Sequence, residues 1–337
     1  MSAPRSRRLL ADAARLNYLD GLSQDQIARR LSMTRSNVSR VLRAAKESGI
    51  VEVRIRDFDD RNELLEDALV AAFDLKAAAV AGAGREPGAQ QAVARLGAEV
   101  FLDAVSGATT AAVSWGTTVQ AVVGALPQVR LPGVDVVQLV GGLVSFDSQA
   151  TAHDVVRDLA ERIGARYRYL NTPAVFDSAA VLQHLLGETS VREALEAARR
   201  AEVALVGIGS PHSGSSATLV ELLDLSEAER TQLWAEQPVG DVCGRYFDID
   251  GVPIACASVR DRILAVPVDD LRGIPTRLGV ARGADKGRAV LGALRGRFVN
   301  VLVCDEPLAQ AVLDLERDRQ GPGARSARRD TAPQRRR

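Results

Sequence analysis

The chain's 337 residues, 46% hydrophobic and 26% charged, suit two unequal domains with ample core; they hold neither the ~18-residue apolar run of a membrane span nor CxxC spacing among Cys243, Cys256 and Cys304. The basic start leads into Leu9–Leu19, which Asp12, Arg15 and Asn17 interrupt, so a secretory signal is excluded and the expected location is the cytoplasm. The formal net charge of zero hides an uneven distribution: residues 1–56 carry +7, residues 317–337 carry +6, and 57–316 carry −13, so a polyanion is expected to meet one end of the chain and not its middle.

Residues 5–20 read as an amphipathic helix with Leu9, Leu10, Ala13, Ala14, Leu16 and Leu19 on one stripe, ended by Gly21. Ser23 begins a second helix, Gln24–Leu31, with Gln26 at capping-box spacing. After a break at Ser32-Met33, Thr34 caps a third helix through Ser48 that buries Val38, Val41, Leu42 and Ala45. Ile50–Arg56 alternates as a short strand, and Asp57 to about Leu75 reads as a charged helix serving as linker and self-association surface.

From Lys76 the pattern becomes short apolar runs alternating with helical stretches. The predicted strands are Ala77–Ala81, Ala111–Trp115, Val134–Val140, Tyr167–Asn171, Val203–Gly207, Ile263–Val266, Arg277–Ala281 and Val299–Cys304. Predicted helices include Gln90–Ala104, Thr151–Gly164, Ser190–Ala201 and Lys286–Arg295. This is the pattern of an α/β domain with a parallel sheet, here over 76–316, behind a helix-turn-helix domain over 1–56 and a linker over 57–75. The tail 317–337, rich in Arg, Gly, Ser and Pro, reads as disordered.

Two short helices joined by a tight turn, the second rich in Arg and small polar residues, satisfy the demands of a helix-turn-helix. With the apolar stripe inward, Thr34, Arg35, Ser36, Asn37, Ser39, Arg40 and Arg43 remain for a DNA duplex. Arg pairs bidentately with guanine and Asn with adenine, while Ser and Thr reach base edges or phosphate. Arg54 and Arg56 would follow the backbone as a wing. The competing reading leaves these arginines merely solvating a small bundle.

The run Tyr18 to Leu31, followed by Thr34 to Leu42, resembles the N-terminal domain of SorC-type (DeoR-like, sugar-binding) bacterial transcriptional regulators. The rest of the chain resembles their sugar-binding domain, whose Rossmann-like fold is shared with sugar-phosphate isomerases and deaminases. Ser114–Thr118, Gln138–Leu143, Val206–Ser210 with Gly240–Asp248, and Lys286–Gly296 with Val299–Glu306 carry that likeness. The resemblance implies that Gly116, Thr117 and Thr118 take the phosphate or polar end of a sugar, and that Gly141, Gly142, Gly207, Gly209 and Ser210 line the cleft. It further implies that Asp241 accepts from sugar hydroxyls and that Lys286 meets the phosphate or carbonyl end as a mobile cation. An imine at Lys286 would need a depressed pKa, which sequence alone does not show.

Arg282 departs from the glycine usual before that lysine, and Cys304 stands where Thr is usual. His153, His184 and His212 show no metal-ligand spacing, and no catalytic set, metal site or cofactor is expected. The resulting expectation is a regulator, dimeric or tetrameric, that binds a double-stranded operator under control of a sugar, polyol or sugar phosphate. Two alternatives stay open: a sugar-phosphate isomerase or deaminase fused to a DNA-binding head, and a ligand-free oligomerisation domain behind the same head.

Overall fold

The computed structural model describes residues 7–18, 20–51, 61–82, 88–143 and 152–319. It divides into two units, Met1–Asp59 and Asp60–Arg337.

In the first unit, α1 (Arg7–Tyr18), α2 (Gln24–Arg30) and α3 (Arg35–Glu47) enclose a core of Leu10, Ala13, Ala14, Ile27, Ala28, Val38, Val41, Leu42 and Ala45. The helix starts follow the cap chemistry of the sequence. Ser23 and Gln26 form a reciprocal capping box on α2, and Thr34 Oγ1 accepts the Asn37 N–H at 3.2 Å on α3. Ser32 supplies the left-handed residue of the intervening turn at φ 50°. The strand expected over Ile50–Arg56 does not begin at Ile50 or Val51, and its remainder, with Arg54 and Arg56, lies outside the described residues.

The second unit opens with α4 (Glu63–Phe73), then β1 (Ala77–Ala81), α5 (Gly88–Val105), β2 (Thr110–Val113), α6 (Thr117–Ala125) and β3 (Asp135–Gln138). It continues through α7 (Ala152–Ile163), β4 (Arg166–Arg168), α8 (Ala179–Leu186), α9 (Thr189–Arg199), β5 (Val203–Gly207), α10 (Gly214–Leu222) and α11 (Glu227–Ala235). The last part holds the hairpin β6 (Gly240–Val242) and β7 (Arg245–Phe247), then α12 (Ala257–Arg260), α13 (Val268–Gly273), β8 (Thr276–Val280), α14 (Gly287–Arg295), β9 (Val301–Asp305) and α15 (Glu306–Arg319).

Seven strands form one parallel sheet in the order β1-β9-β8-β5-β2-β3-β4. Side chains alternate across it. Val80, Ala112, Ala204, Val206, Leu302 and Cys304 join the core on one face, while Ala79, Ala111, Val113, Leu205 and Val303 join the core on the other. Both faces are covered, which accounts for the nearly continuous apolar strand sequences. From the central pair β5 and β2 the chain runs outward in both directions, through β3 and β4 on one side and β8 and β9 on the other. That pair is the topological switch point, where open α/β sheets bind ligands.

Three expectations need correcting. The helix read as a linker belongs to the second unit, because Asn62 N–H bonds the Val80 carbonyl, Asn62 Nδ2 bonds Glu306, and Leu69 is fully buried. Buried Glu66 accepts the Val80 N–H at 2.8 Å and both arms of Arg61, so its carboxylate occupies a backbone donor at the β1 edge of the sheet. Ile263–Val266 is not a sheet strand: it makes isolated bridges to Val140 and Val175 and crosses the end of β3, and Pro267 has no N–H with which to extend a ladder. The tail expected to be disordered from 317 is helical through Arg319, and residues 320–337 lie outside the described residues.

Candidate functional site

Two surfaces collect the residues singled out by sequence. On α3, the burial of Val38, Val41, Leu42 and Ala45 leaves Thr34, Arg35, Ser36, Arg40 and Arg43 exposed and Asn37 and Ser39 half-buried. The Arg40 guanidinium donates to Asn37 Oδ1 at 2.7 Å, which aligns two base-reading side chain types side by side. Arg35 lies 3.6 Å from Asp25 in an exposed pair that screening makes weak.

In the sheet unit, a cleft of about 280 Å³ opens at the carboxyl ends of β2, β5 and β8. Gly116, with φ 140°, directs the chain from β2 into α6, and no side chain caps that helix. Its first N–H groups, at Thr117, Thr118 and Val119, are therefore available to a ligand at the positive end of the helix dipole. A second helix start, α10 behind Ser213, also lacks a side-chain cap, and Ser213, Gly214, Ser215 and Ser216 line the same cleft. Ser114 fixes the spacing of the two strand ends, its hydroxyl accepting the Gly207 N–H at 3.3 Å.

Opposite these donors stands an acid. Gly209 and Asp241 exchange backbone hydrogen bonds in an antiparallel bridge, and a Cβ on Gly209 would sit 2.0 Å from Asp241 Oδ1, so only glycine fits. Asp241 Oδ2 accepts the Gly244 N–H at 2.8 Å, whereas Oδ1 is buried with no hydrogen-bond partner. Burial holds the Asp241 carboxyl above its usual range, opposed by the Ser216 hydroxyl, the Gly244 N–H and the Lys286 charge. Burial likewise lowers the Lys286 ammonium, opposed by Asp241 and Asp285, and its Nζ donates to the Ile208 carbonyl at 2.9 Å. Lys286 closes a short 3-10 turn, Ala284–Lys286, immediately before α14. Asp305 accepts the Gly283 N–H and so orients the loop carrying Arg282 and Asp285 into the cleft.

The hairpin bearing Asp241 has its own mounting. Cys243 and Gly244 both have positive φ, 55° and 70°, the pattern of a two-residue type I′ turn. Arg245, itself half-buried, donates to the carbonyls of Val266, Ala265 and Arg260 and ties the hairpin to the segment beside β3. Tyr246 Oη donates to the Ser216 carbonyl at 2.7 Å, holding the start of α10 against it.

Of the residues expected around a ligand, Gly116, Thr117, Thr118, Gly207, Gly209, Asp241 and Lys286 meet at this cleft. Gly141, Gly142 and Ser210 do not line it. Gly141 lies against backbone, where a Cβ would be 2.3 Å from the Pro173 carbonyl, and its own carbonyl accepts from Trp115 Nε1. Gly142 faces His153 and the Thr172 carbonyl, and Ser210 faces a neighbouring cavity. Sequence reasoning missed Ser213–Ser216; their Ser/Gly composition after a strand was the available signal. Among the described residues no cluster of His, Cys, Asp and Glu could hold a metal ion, and no helix is long and apolar enough to cross a membrane.

Comparison with known proteins gives this geometry its context. Residues 59–314 match the sugar-binding domain family Sugar-bind. The chain is 33% identical over 310 residues to the deoxyribonucleoside regulator of Bacillus subtilis strain 168, covering 91% of this chain and 98% of that one. It is 31% identical over 313 residues to the transcriptional regulator LsrR of Klebsiella pneumoniae, covering 91% and 93%. The crystal structure of the full-length sorbitol operon regulator SorC from Klebsiella pneumoniae superposes with a TM-score of 0.69 at 30% identity, covering 91% of this chain and 98% of that one. These relatives are regulators rather than isomerases or deaminases, and the chain belongs to the SorC-type family of transcriptional regulators controlled through a sugar-binding domain.

Proposed function

We propose that Thr34, Arg35, Ser36, Asn37, Ser39, Arg40 and Arg43 read a double-stranded operator, and that a carbohydrate in the cleft alters how tightly it is held. In this reading Thr117, Thr118 and the Ser213–Ser216 backbone take the phosphate or most polar end of a sugar, polyol or sugar phosphate. Asp241 accepts from hydroxyls, and Lys286 meets the carbonyl or phosphate end. The single observation carrying the assignment is Asp241 Oδ1, buried with no hydrogen-bond partner on a residue that lines the same cleft as two uncapped helix starts. A carbohydrate offers hydroxyl donors and oxygen acceptors together, so it satisfies both kinds of group at once.

The protein acts in the cytoplasm as a homodimer or homotetramer, so that paired heads meet paired half-sites. A ligand shifts operator affinity by its differential binding to the two arrangements of the assembly. Gel shifts on the gene's own upstream region, repeated across sugars, polyols and their phosphates, test this. A complex whose affinity moves with one of these compounds is expected. No complex at any salt concentration removes the operator assignment, and a complex indifferent to every compound removes the effector assignment.

A further inference from the structure

Beside the cleft, beyond the Ser210–Ser213 segment, lies a second cavity of about 380 Å³. Asp285 lines both, and Ser210, next to Gly209 of the cleft, lines the second, so the two adjoin. The second has a different chemistry. Its wall includes the rings of His212 and Trp234, stacked with centroids 4.8 Å apart and planes 14° from parallel, together with Gln237 and Arg288. Among the described residues Arg288 has no ion-pair partner and the Gln237 amide makes no side-chain hydrogen bond, while the Gln237 backbone is held at φ 52°, a conformation costly for a residue with a Cβ.

An aromatic wall with a few exposed polar groups is suited to the face of a ring whose edge carries hydrogen-bonding atoms. The cleft alone falls just short of the ~300–1,000 Å³ typical of small-molecule pockets, whereas cleft and second cavity together fall well inside it. We propose that the second cavity is a subsite for a second ring, making the preferred effector a glycoside: a sugar whose anomeric carbon carries a further sugar or a heterocyclic base. This rests on reading the cleft as the carbohydrate site. Asp285, on the shared wall, would lie beside the glycosidic linkage, with the second ring against His212 and Trp234 and its polar edge toward Gln237 and Arg288.

Calorimetric titration of the full chain with matched series tests it: ribose, methyl riboside and adenosine, and glucose, methyl glucoside and maltose. In at least one series the two-ring ligand is expected to bind at least tenfold more tightly than the methyl glycoside, and the series that does so identifies the second ring. Trp234→Ala should erase that gain while leaving methyl glycoside affinity unchanged, and Trp234→Phe should retain most of it. Equal affinity for one-ring and two-ring ligands overturns the proposal. So does a Trp234→Ala variant that weakens every ligand alike, since the stack would then serve only to clasp the loop. If no carbohydrate binds in either series or among free sugar phosphates, the cleft assignment itself falls, an outcome distinct from one-ring binding without a second-ring gain.

Discussion

The two units expose their functional groups in opposite ways. On α3 the groups proposed to read DNA lie outside a small apolar core, and most could be exchanged without touching what holds the helices together. In the cleft the groups proposed to take the effector are helix-start N–H groups and a buried acid, the acid fixed by the bridge that shapes its loop. On the proposed assignments, specificity for DNA would be separable from stability, whereas specificity for the effector would be built into the packing.

Substitutions can break or sharpen that contrast. Gly209→Ala is expected to act most strongly, because its Cβ would displace Asp241 and press on Ser216 Cβ at 2.8 Å. Effector binding measured by calorimetry should vanish with about 1–3 kcal/mol of stability, while gel shifts without effector stay intact. Glu66→Ala should cost about 2 kcal/mol by leaving the Val80 N–H unpaired, seen as a lower urea midpoint for the sheet unit. Arg40→Ala should lose roughly 1–3 kcal/mol of operator discrimination at an unchanged midpoint, and a shifted midpoint would undo the claimed separability.

The smallest effect concerns pH. The folded pKa of Asp241 lies above its ordinary 3.8, so this group's stabilising contribution is complete below 3.8 and is lost as pH rises through the folded value. Asp241→Asn should therefore flatten that part of the stability curve, read as the difference between wild type and variant in urea titrations, while weakening effector binding. Glu229, held near pH 2 chiefly by the Ser226 hydroxyl, runs oppositely in both proteins, its contribution being lost as pH falls from 4.5, and it cancels in the difference.

Local signals carried much of the fold. Ala77–Ala81 and Val203–Gly207 occur as strands with the bounds expected from glycine-bounded or charge-bounded apolar runs, and Ser23 and Thr34 cap as their spacing indicates. The β6–β7 hairpin was illegible because Cys243 occupies a left-handed turn position where Asn or Asp is the usual sign. The placement of α4 was misjudged because Glu66 is exposed by every compositional rule and buried only by its pairing with Arg61 and a strand edge. Gly141 and Gly142 read as ligand approach, yet Gly141 answers to the crossing chain at Pro173, a contact 32 residues away in sequence that no local pattern encodes.

Arg245 adds a final consequence. Its hydrogen bonds all end on carbonyl oxygens, which neither gain nor lose protons in the range where carboxylates do. This part of the turn's anchorage is accordingly indifferent to acidity, so an experimenter sweeping pH across Asp241 changes its charge and its own bond to the Gly244 N–H while the Arg245 ties stay fastened.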